Sequence, residues 1–298
     1  MKIVIAGGTG FLGGALTSAL RSRGDEVAVL SRRAAPRWEP NGSTGPWASA
    51  IDGADAVVNL AGEPMAGRRW TDSQKRTLLD SRVLATRSLA AAIAAAAPRP
   101  RVFVSASGVG FYPDADAIVD ETGGPGSGFL SRICGAWERE ALKAESPATR
   151  VVLLRTGVVL HRDGGALEKL LLPFRLGMGG PIGSGSQWWA WIHRDDWVRM
   201  TMWAIDTPAV SGVLNVCAPE PARNREIARA IGRALHRPAL LPAPAIALRL
   251  ALGEMAGEML LASQRAVPRR ARELGFAWTW PELETAVSDA VTPRSAPR

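Results

Sequence analysis

Residues 2–16 read KIVIAGGTGFLGGAL, and the fold can be predicted outward from these residues. A short apolar strand runs directly into glycines at positions 7, 10 and 13, and the apolar residues that follow recur at the spacing of a one-sided helix. Gly7 permits a sharp turn, Gly10 lets a phosphate approach the backbone, and Gly13 allows the helix to pack closely on the strand. The order of strand, glycine turn and helix predicts a dinucleotide site with the pyrophosphate at the positive helix N-terminus.

The same alternation of strand and helix patterns continues through the first half of the chain. Further short apolar runs typical of strands lie at residues 26–30, 56–60, 102–105 and 151–155. Segments of helical period separate these runs. Strands that alternate with helices predict a parallel sheet with helices on both faces.

The pattern changes after residue 156, where a glycine-rich stretch and a tryptophan-rich stretch precede one more strand candidate at 213–217 and then mostly helices. We therefore predict an α/β protein. Residues 1–160 would form a doubly wound parallel Rossmann sheet, to which a segment near 188–217 returns. Residues 161–298 would form a smaller C-terminal α+β substrate domain.

Composition and charge exclude several classes of function. The chain has 298 residues, of which 47% are hydrophobic, so it is long enough for a sizeable core. The net charge is +8, but the basic residues are spread along the chain, so we expect no nucleic-acid partner. The apolar stretch at 243–261 carries Arg249, Glu254 and Glu258, which indicates a soluble helix and no membrane partner.

Cysteine and histidine usage argues against a disulfide framework and against a metal site. Cys134 and Cys217 are far apart and neither belongs to a C-x-x-C pair. The three histidines lack the spacing of metal ligands. We expect no metal, no leader before the first strand, and a reducing, cytoplasmic setting.

The end of the second strand indicates which dinucleotide binds. An acidic side chain at this place would accept hydrogen bonds from the ribose 2′-hydroxyl of NAD. This chain has Ser31, Arg32 and Arg33 instead, and guanidinium groups pair bidentately with a phosphate. The residues therefore predict NADP(H), with two solvated surface arginines as the alternative interpretation.

Further motifs beyond the second strand resemble those of a known protein family. They are NLAGEP at 59–64, GRRWT at 67–71, SRVLAT at 81–86, SASGVGFY at 105–112, RTGVVL at 155–160, GGPIGSG at 179–185, WIHRDD at 191–196, APEP at 218–221 and a helical module from 252 to 276. With these motifs the chain resembles an atypical branch of the extended short-chain dehydrogenase/reductase superfamily. That branch is the NAD(P)-dependent epimerase-like family, whose members are called epimerase family proteins. The resemblance covers nearly the whole chain.

The resemblance implies a set of contacts with NADP(H). Ser31 and Arg32 would hold the 2′-phosphate, the turn at 59–62 would line the ribose, Arg82 would reach the cofactor from its helix, and Val158 would flank the nicotinamide. From spacing alone, Arg82 is also compatible with capping or solvating its helix. The full set of predicted cofactor contacts is Gly7, Thr9, Gly10, Phe11, Leu12, Gly13, Ser31, Arg32, Arg33, Asn59, Leu60, Ala61, Gly62, Arg82, Ser105 and Val158.

The usual catalytic pair of the superfamily is missing. Extended members use a serine or threonine at the end of a central strand and a Tyr-x-x-x-Lys pair on the next helix. Ser107 occupies the serine position, and we expect it to polarise the substrate oxygen. On the next helix the closest registers pair Leu130 with Cys134 or Phe129 with Ile133, and neither pair can do acid–base chemistry.

Tyr112 is the best remaining proton donor. It is the single tyrosine of the chain and follows Ser107 by five residues. A structural role, with the ring half-buried and the hydroxyl satisfied, stays equally open. Glu63, Asp120 and Glu121 are alternative acids, although each is interpreted first as a solvated or capping carboxylate.

We expect the substrate to meet residues from both halves of the chain. They are Glu63, Arg155, Gln187, Trp191 and His193. His193 is a candidate general base, but we favour a role in orienting the corner between its strand and the next helix.

Two classes of function stay open. The first is an NADP(H)-dependent, epimerase-like oxidoreductase that acts on a small hydroxyl- or carbonyl-bearing molecule. The second is a non-catalytic NADPH-binding sensor or scaffold linked to cell division, as labels on relatives indicate, and the missing tyrosine and lysine favour it. The helices near 71–97 and 129–144 are compatible with a homodimer contact like that of relatives.

Overall fold

A computed structural model describes residues 1–33 and 37–292. Within these residues the chain forms two compact units. Unit 1 comprises Met1–Pro113, Gly124–Thr156 and Val198–Leu214, and unit 2 comprises Asp114–Gly123, Gly157–Trp197 and the part of the chain that begins at Asn215.

The helices and strands follow one another in chain order. They are β1 (Lys2–Ala6), α1 (Phe11–Ser22), β2 (Glu26–Leu30), β3 (Ala56–Asn59), α2 (Asp72–Ala95), β4 (Val102–Gly108), β5 (Ala115–Val119), α3 (Phe129–Leu142), β6 (Arg150–Thr156), β7 (Val158–Leu160), α4 (Gly165–Arg175), β8 (Trp188–Trp189), β9 (Trp191–His193), α5 (Arg194–Asp206), β10 (Gly212–Val216), β11 (Ala222–Arg223), α6 (Asn224–Ala234), α7 (Ala245–Leu252), β12 (Gln264–Ala266), α8 (Arg269–Glu273) and α9 (Leu283–Val291). Short 3-10 turns lie at Pro46–Ala50 and Val109–Phe111, and a π-helical turn lies at Ala256–Leu261.

The main sheet has six strands in the order β10-β6-β4-β3-β1-β2. Pairing is parallel from β2 through β1, β3 and β4 to β6, with Ile5 opposite both Val29 and Val58. The chain runs from β1 to β2 on one side and then places β3 on the other side of β1. Strand order therefore reverses at the carboxyl end of β1, which is where ligands bind in open parallel sheets.

The core of unit 1 explains why these segments form these elements. Val4 and Ile5 of β1 and Leu16 and Leu20 of α1 are fully buried, as the predicted one-sided helix requires. Helix α2 and helix α3 pack against each other. The predicted fold class, a parallel Rossmann sheet with a smaller C-terminal module, is confirmed.

Unit 2 has its own sheets and its own core. A four-stranded sheet has the order β11-β8-β12-β5, and β7 pairs in parallel with β9. Side chains of α4, α6 and α9 contribute to one apolar cluster. The domain boundary predicted at residue 160 and the returning segment near 188–217 stay predictions. Among the described residues, no helix is long and apolar enough to cross a membrane.

Candidate functional site

The glycine turn after β1 adopts a backbone that other residues would disrupt. Gly7 has φ +79°, and a Cβ on it would lie 2.6 Å from the Leu60 carbonyl oxygen. A Cβ on Gly13 would lie 2.1 Å from the Gly7 carbonyl oxygen, so α1 packs against the turn itself. Gly10 is exposed, and its Cβ would meet only the Gly7 oxygen, at 3.4 Å. The first turn of α1, which contains no acidic residue, therefore presents its N-terminus to an approaching anion.

The end of β2 lies beside this turn, because β1 and β2 are parallel neighbours. The backbone N–H of Arg33 donates to Ser31 Oγ at 3.1 Å. Arg32 and Arg33 are exposed, and neither forms an ion pair with a carboxylate of residues 1–33 and 37–292. Two arginines are thus available at the edge of the sheet where a dinucleotide phosphate would be bound.

Buried polar side chains hold the turn after β3. Asn59 Oδ1 accepts the N–H of Ala61 at 3.2 Å, and Asn59 Nδ2 donates to Thr86 Oγ1 at 2.8 Å and to Ser105 Oγ at 3.4 Å. Asn59 and Ser105 are fully buried. Their side chains therefore shape the turn at residues 59–62, and their predicted contacts with the cofactor stay predictions.

Arg82 is a buried cation beside the same turn. Its guanidinium carbon lies 5.2 Å from the Trp137 ring centroid, its Nη1 donates to the Leu78 carbonyl at 3.0 Å, and a Cβ on Gly62 would lie 3.0 Å from it. Burial lowers the pKa of Arg82 to about 10, and the charge of Glu63 opposes that shift only in part. No carboxylate in the described part of the chain forms an ion pair with Arg82. A buried, unbalanced positive charge is costly, and an anionic ligand would relieve that cost.

Ser107 belongs to a buried network with Glu138 and Arg155. The Ser107 hydroxyl donates to Glu138 Oε1 at 2.7 Å. Arg155 donates two hydrogen bonds to the same carboxylate, from Nε to Oε1 and from Nη2 to Oε2, both at 2.8 Å. Burial disfavours the charged guanidinium, but the hydrogen bonds and charge of Glu138 outweigh it and raise the pKa of Arg155. Because the Ser107 hydroxyl donates its proton to the hydrogen bond with Glu138, its oxygen can only accept hydrogen bonds from other groups.

Tyr112 joins this network through Arg155. The guanidinium carbon of Arg155 lies 3.4 Å from the Phe111 ring centroid and 4.9 Å from that of Tyr112, and the Tyr112 hydroxyl interacts with the same guanidinium. Tyr112 is 2% exposed. The structure therefore brings the two predicted catalytic residues into one cluster with the predicted substrate residue Arg155.

Helix α3 carries other residues where the missing pair would stand. Leu130 packs against Gly110, on which a Cβ would lie 3.0 Å from the leucine Cβ. Cys134 is buried, and burial raises the pKa of its thiol to about 11. Glu138, one helical turn after Cys134, is the functional candidate that sequence reasoning missed. The signal that points to it is its i, i+4 spacing from Cys134, together with Arg155 one residue before the end of β6.

The remaining predicted site residues belong to unit 2. Val158 pairs with Trp191 between β7 and β9, and Trp191 is fully buried. Gln187 Nε2 donates to the Ile182 and Leu260 carbonyls at 3.1 and 2.9 Å. These side chains support the packing of unit 2, and their contacts with a ligand stay predictions.

His193 is also engaged within unit 2. Its Nδ1 accepts the N–H of Asp195 at 3.2 Å, and its Nε2 lies 3.2 Å from the Asp289 carboxylate. Both ring nitrogens therefore face groups of unit 2, which fits the favoured role of orienting the corner at the start of α5.

The alternative acids of the loop after β5 have structural partners. Asp120 accepts from Thr122 at 2.5 Å and from Arg269 at 3.0 Å, and these bonds lower its pKa. Glu121 accepts the backbone N–H of Asn215, and burial raises the pKa of Glu121. No cluster of three or more potential metal ligands occurs in residues 1–33 and 37–292.

Comparison with known proteins agrees with this architecture. The model of the NAD dependent epimerase/dehydratase family matches residues 3–217, and a model described as a domain of unknown function (DUF1731) matches residues 243–290. Epimerase family protein SDR39U1 of Bos taurus is 41% identical over 299 residues, with 98% of this chain and 100% of that protein covered. Epimerase family protein YfhF of Bacillus subtilis is 36% identical over 303 residues, with 99% of each covered.

A solved structure shows the same relationship. The crystal structure of human epimerase family protein SDR39U1 (isoform 2) with NADPH superimposes with a TM-score of 0.91 at 39% identity, over 97% of this chain and 99% of that chain. The resemblance predicted from the motifs is thereby confirmed. The chain belongs to the NAD dependent epimerase/dehydratase family.

Proposed function

We propose that this chain binds NADP(H) and acts as an epimerase-like oxidoreductase on a small molecule that carries a hydroxyl or carbonyl group. The single observation that carries the proposal is the position of Ser31, Arg32 and Arg33 at the end of β2, beside the glycine turn of β1. The NADPH bound to the human relative supports the same assignment.

The residues present fit this cofactor. Gly10 offers an open backbone, the N-terminus of α1 offers a positive end to the pyrophosphate, and Arg32 and Arg33 offer exposed guanidinium groups to a 2′-phosphate. The buried, unbalanced charge of Arg82 also favours an anionic ligand beside Gly62. When bound, NADP(H) would exchange a hydride with the substrate carbon.

Ser107 and Glu138 offer a route for the substrate proton. Because the Ser107 hydroxyl donates to Glu138, its lone pairs are directed to accept a hydroxyl proton from a substrate alcohol. Transfer of that proton through Ser107 to the Glu138 carboxylate, together with transfer of a hydride from the substrate carbon to NADP⁺, would turn the alcohol into a carbonyl. In the reverse direction the carbon would take the hydride back from NADPH, and the proton would return to the oxygen. Arg155 balances the charge of Glu138, and Tyr112 stays the alternative proton donor.

Arg32→Glu should convert the cofactor preference. It removes a charge-assisted contact worth about 1.5–3 kcal/mol and sets a carboxylate against the 2′-phosphate, so we expect NADPH binding to weaken about 100-fold. NADH binding should change less than about threefold, because NADH has no 2′-phosphate. Fluorescence titration with both cofactors measures the effect.

Arg99→Glu is the matched control, because Arg99 is exposed before β4 and its guanidinium donates a hydrogen bond to the Ala94 carbonyl without forming an ion pair among the described residues. It makes the same change of charge and should leave both affinities unaltered. An equal loss of NADPH and NADH affinity in Arg32→Glu would contradict the assignment of NADP(H) as the cofactor.

Ser107→Ala should lower the NADPH-linked turnover of a panel of aldehydes and ketones by about 100-fold or more. General acid–base catalysis contributes about 10²–10⁴-fold to a reaction rate. NADPH affinity should stay within about twofold, which separates chemistry from binding. Tyr112→Phe tests the alternative donor in the same assay, and Ser73→Ala, an exposed serine of α2, is the control. Unchanged turnover in both Ser107→Ala and Tyr112→Phe would show that neither side chain transfers a proton to or from the substrate.

A second candidate function rests on the face of α3. Leu130 and Cys134 stand where the usual tyrosine and lysine would be, which favours a non-catalytic NADPH-binding sensor or scaffold. Tight NADPH binding without oxidation across the carbonyl panel, together with capture of a partner protein that depends on NADPH, would support this function instead.

A further inference from the structure

Helix α7 is almost entirely apolar, although it lies on the surface of unit 2. It reads AIALRLAL, in which Arg249 is the single polar residue, yet none of its residues is buried. Its inner stripe, Ala245, Leu248 and Leu252, is half-buried, whereas Ile246 and Leu250 are each 73% exposed. A helix that is apolar on every side is expected in a core or against an apolar medium.

Further exposed apolar side chains lie on neighbouring segments of unit 2. The Leu241 N–H donates to the Gly179 carbonyl at 3.2 Å, which sets residues 240–241 beside the end of α4. We define the apolar patch as Leu172, Leu176, Met178, Leu240, Leu241, Ile246 and Leu250. These side chains are between 55% and 80% exposed, so most of each side chain faces solvent.

Basic side chains accompany the apolar patch. Arg175 lies between Leu172 and Leu176 in sequence, and Arg249 precedes Leu250. Arg237 lines an open cleft of about 430 Å³ together with Arg229 and Leu240. We define the cationic rim as Arg175, Arg229, Arg237 and Arg249. In the described part of the chain none of these four forms an ion pair, whereas Arg233 of the same cleft is paired with Glu284.

We propose that the apolar patch and the cationic rim form a docking surface for an anionic lipid membrane. Projecting leucine and isoleucine side chains insert at the boundary between headgroups and acyl chains, and unpaired arginines bind lipid phosphates. A second copy of the chain fits less well, because it would set two rims of the same sign against each other. The sequence-based expectation of no membrane partner addressed only spanning segments, and this surface lies on a membrane without crossing it.

Co-sedimentation with vesicles tests the proposal on the full chain. The protein should bind vesicles of phosphatidylcholine mixed with phosphatidylglycerol, and not vesicles of phosphatidylcholine alone. Binding should weaken as salt is raised, because the arginine contribution is screened.

Two sets of variants separate the apolar and cationic contributions. Leu240→Ser, Leu241→Ser, Ile246→Ser and Leu250→Ser combined should weaken binding about tenfold or more, since each removes buried apolar area in the bound state. Arg175→Gln, Arg237→Gln and Arg249→Gln should each weaken it about fivefold. Thermal midpoints should stay unchanged because all these side chains are exposed, and the arginine variants keep the test valid if the serine variant loses stability.

Ile118→Ser and Leu142→Ser combined form the control, because these side chains are 61% and 41% exposed outside the apolar patch. Equal binding to neutral and anionic vesicles, no binding to either, or an equal loss in the control would overturn the proposal. A dimer in light scattering that the serine variant converts to a monomer would assign the apolar patch to a second copy and overturn it as well.

Discussion

Gly13→Ala is expected to abolish NADPH binding and to destabilise the protein by about 3 kcal/mol, because the added Cβ overpacks a rigid contact. It would lie 2.1 Å from the Gly7 carbonyl oxygen and 2.8 Å from the Gly8 Cα, and both are backbone atoms that cannot rotate away. Either α1 must move off the sheet or the turn must change its path, and the cofactor needs both in place. Chemical denaturation and NADPH titration measure the two effects.

The neighbouring glycine provides the matched control. A Cβ on Gly14 would meet no heavy atom closer than the Gly8 oxygen, at 4.0 Å. Alanine also favours a helix over glycine by about 1 kcal/mol, so Gly14→Ala should stabilise the protein slightly and keep NADPH binding. Equal behaviour of the two variants would contradict the account of the turn.

Glu138→Ala should lower the free energy of unfolding by about 3–5 kcal/mol, because it leaves a buried guanidinium without its counter-charge. Arg155 is 4% exposed, and Glu138 supplies both of its charged hydrogen bonds as well as the acceptor for Ser107. Denaturant unfolding monitored by tryptophan fluorescence gives the difference.

Glu140 on the same helix is the control for that prediction. It pairs with Arg87 and Lys143, whose side chains are 45% and 60% exposed, so Glu140→Ala should cost about 1 kcal/mol or less. The double variant Glu138→Leu with Arg155→Met should recover much of the lost stability, because removing both charges leaves none unpaired. If Glu138→Ala lowers the free energy of unfolding no more than Glu140→Ala does, the stabilising role of the buried Glu138–Arg155 pair is contradicted.

Local patterns predicted the sheet and the glycine turn well. The turn depends on residues that are adjacent in sequence, so Gly7, Gly10 and Gly13 could be interpreted without a structure. The position of Ser31 and Arg32 next to that turn also followed, since parallel strands end at the same edge.

Long-range pairing could not be predicted in the same way. Glu138 and Arg155 lie on different elements, and only the packing of α3 on the sheet brings them to Ser107. The turn at 59–62 was expected to line the ribose, and that contact stays a prediction. The hydrogen bonds of the Asn59 amide with Thr86 and with the Ala61 N–H could not be predicted from the sequence. Periodicity alone does not show whether a face is covered, so the exposed face of α7 could not be recognised either.

Calorimetric titration of the unmodified protein with NADPH and with NADH measures the cofactor preference on which the proposed function rests. We expect NADPH to bind at least about 100-fold more tightly than NADH, because only NADPH carries the phosphate that Arg32 and Arg33 are placed to bind. Equal affinities, or tighter binding of NADH, would contradict it.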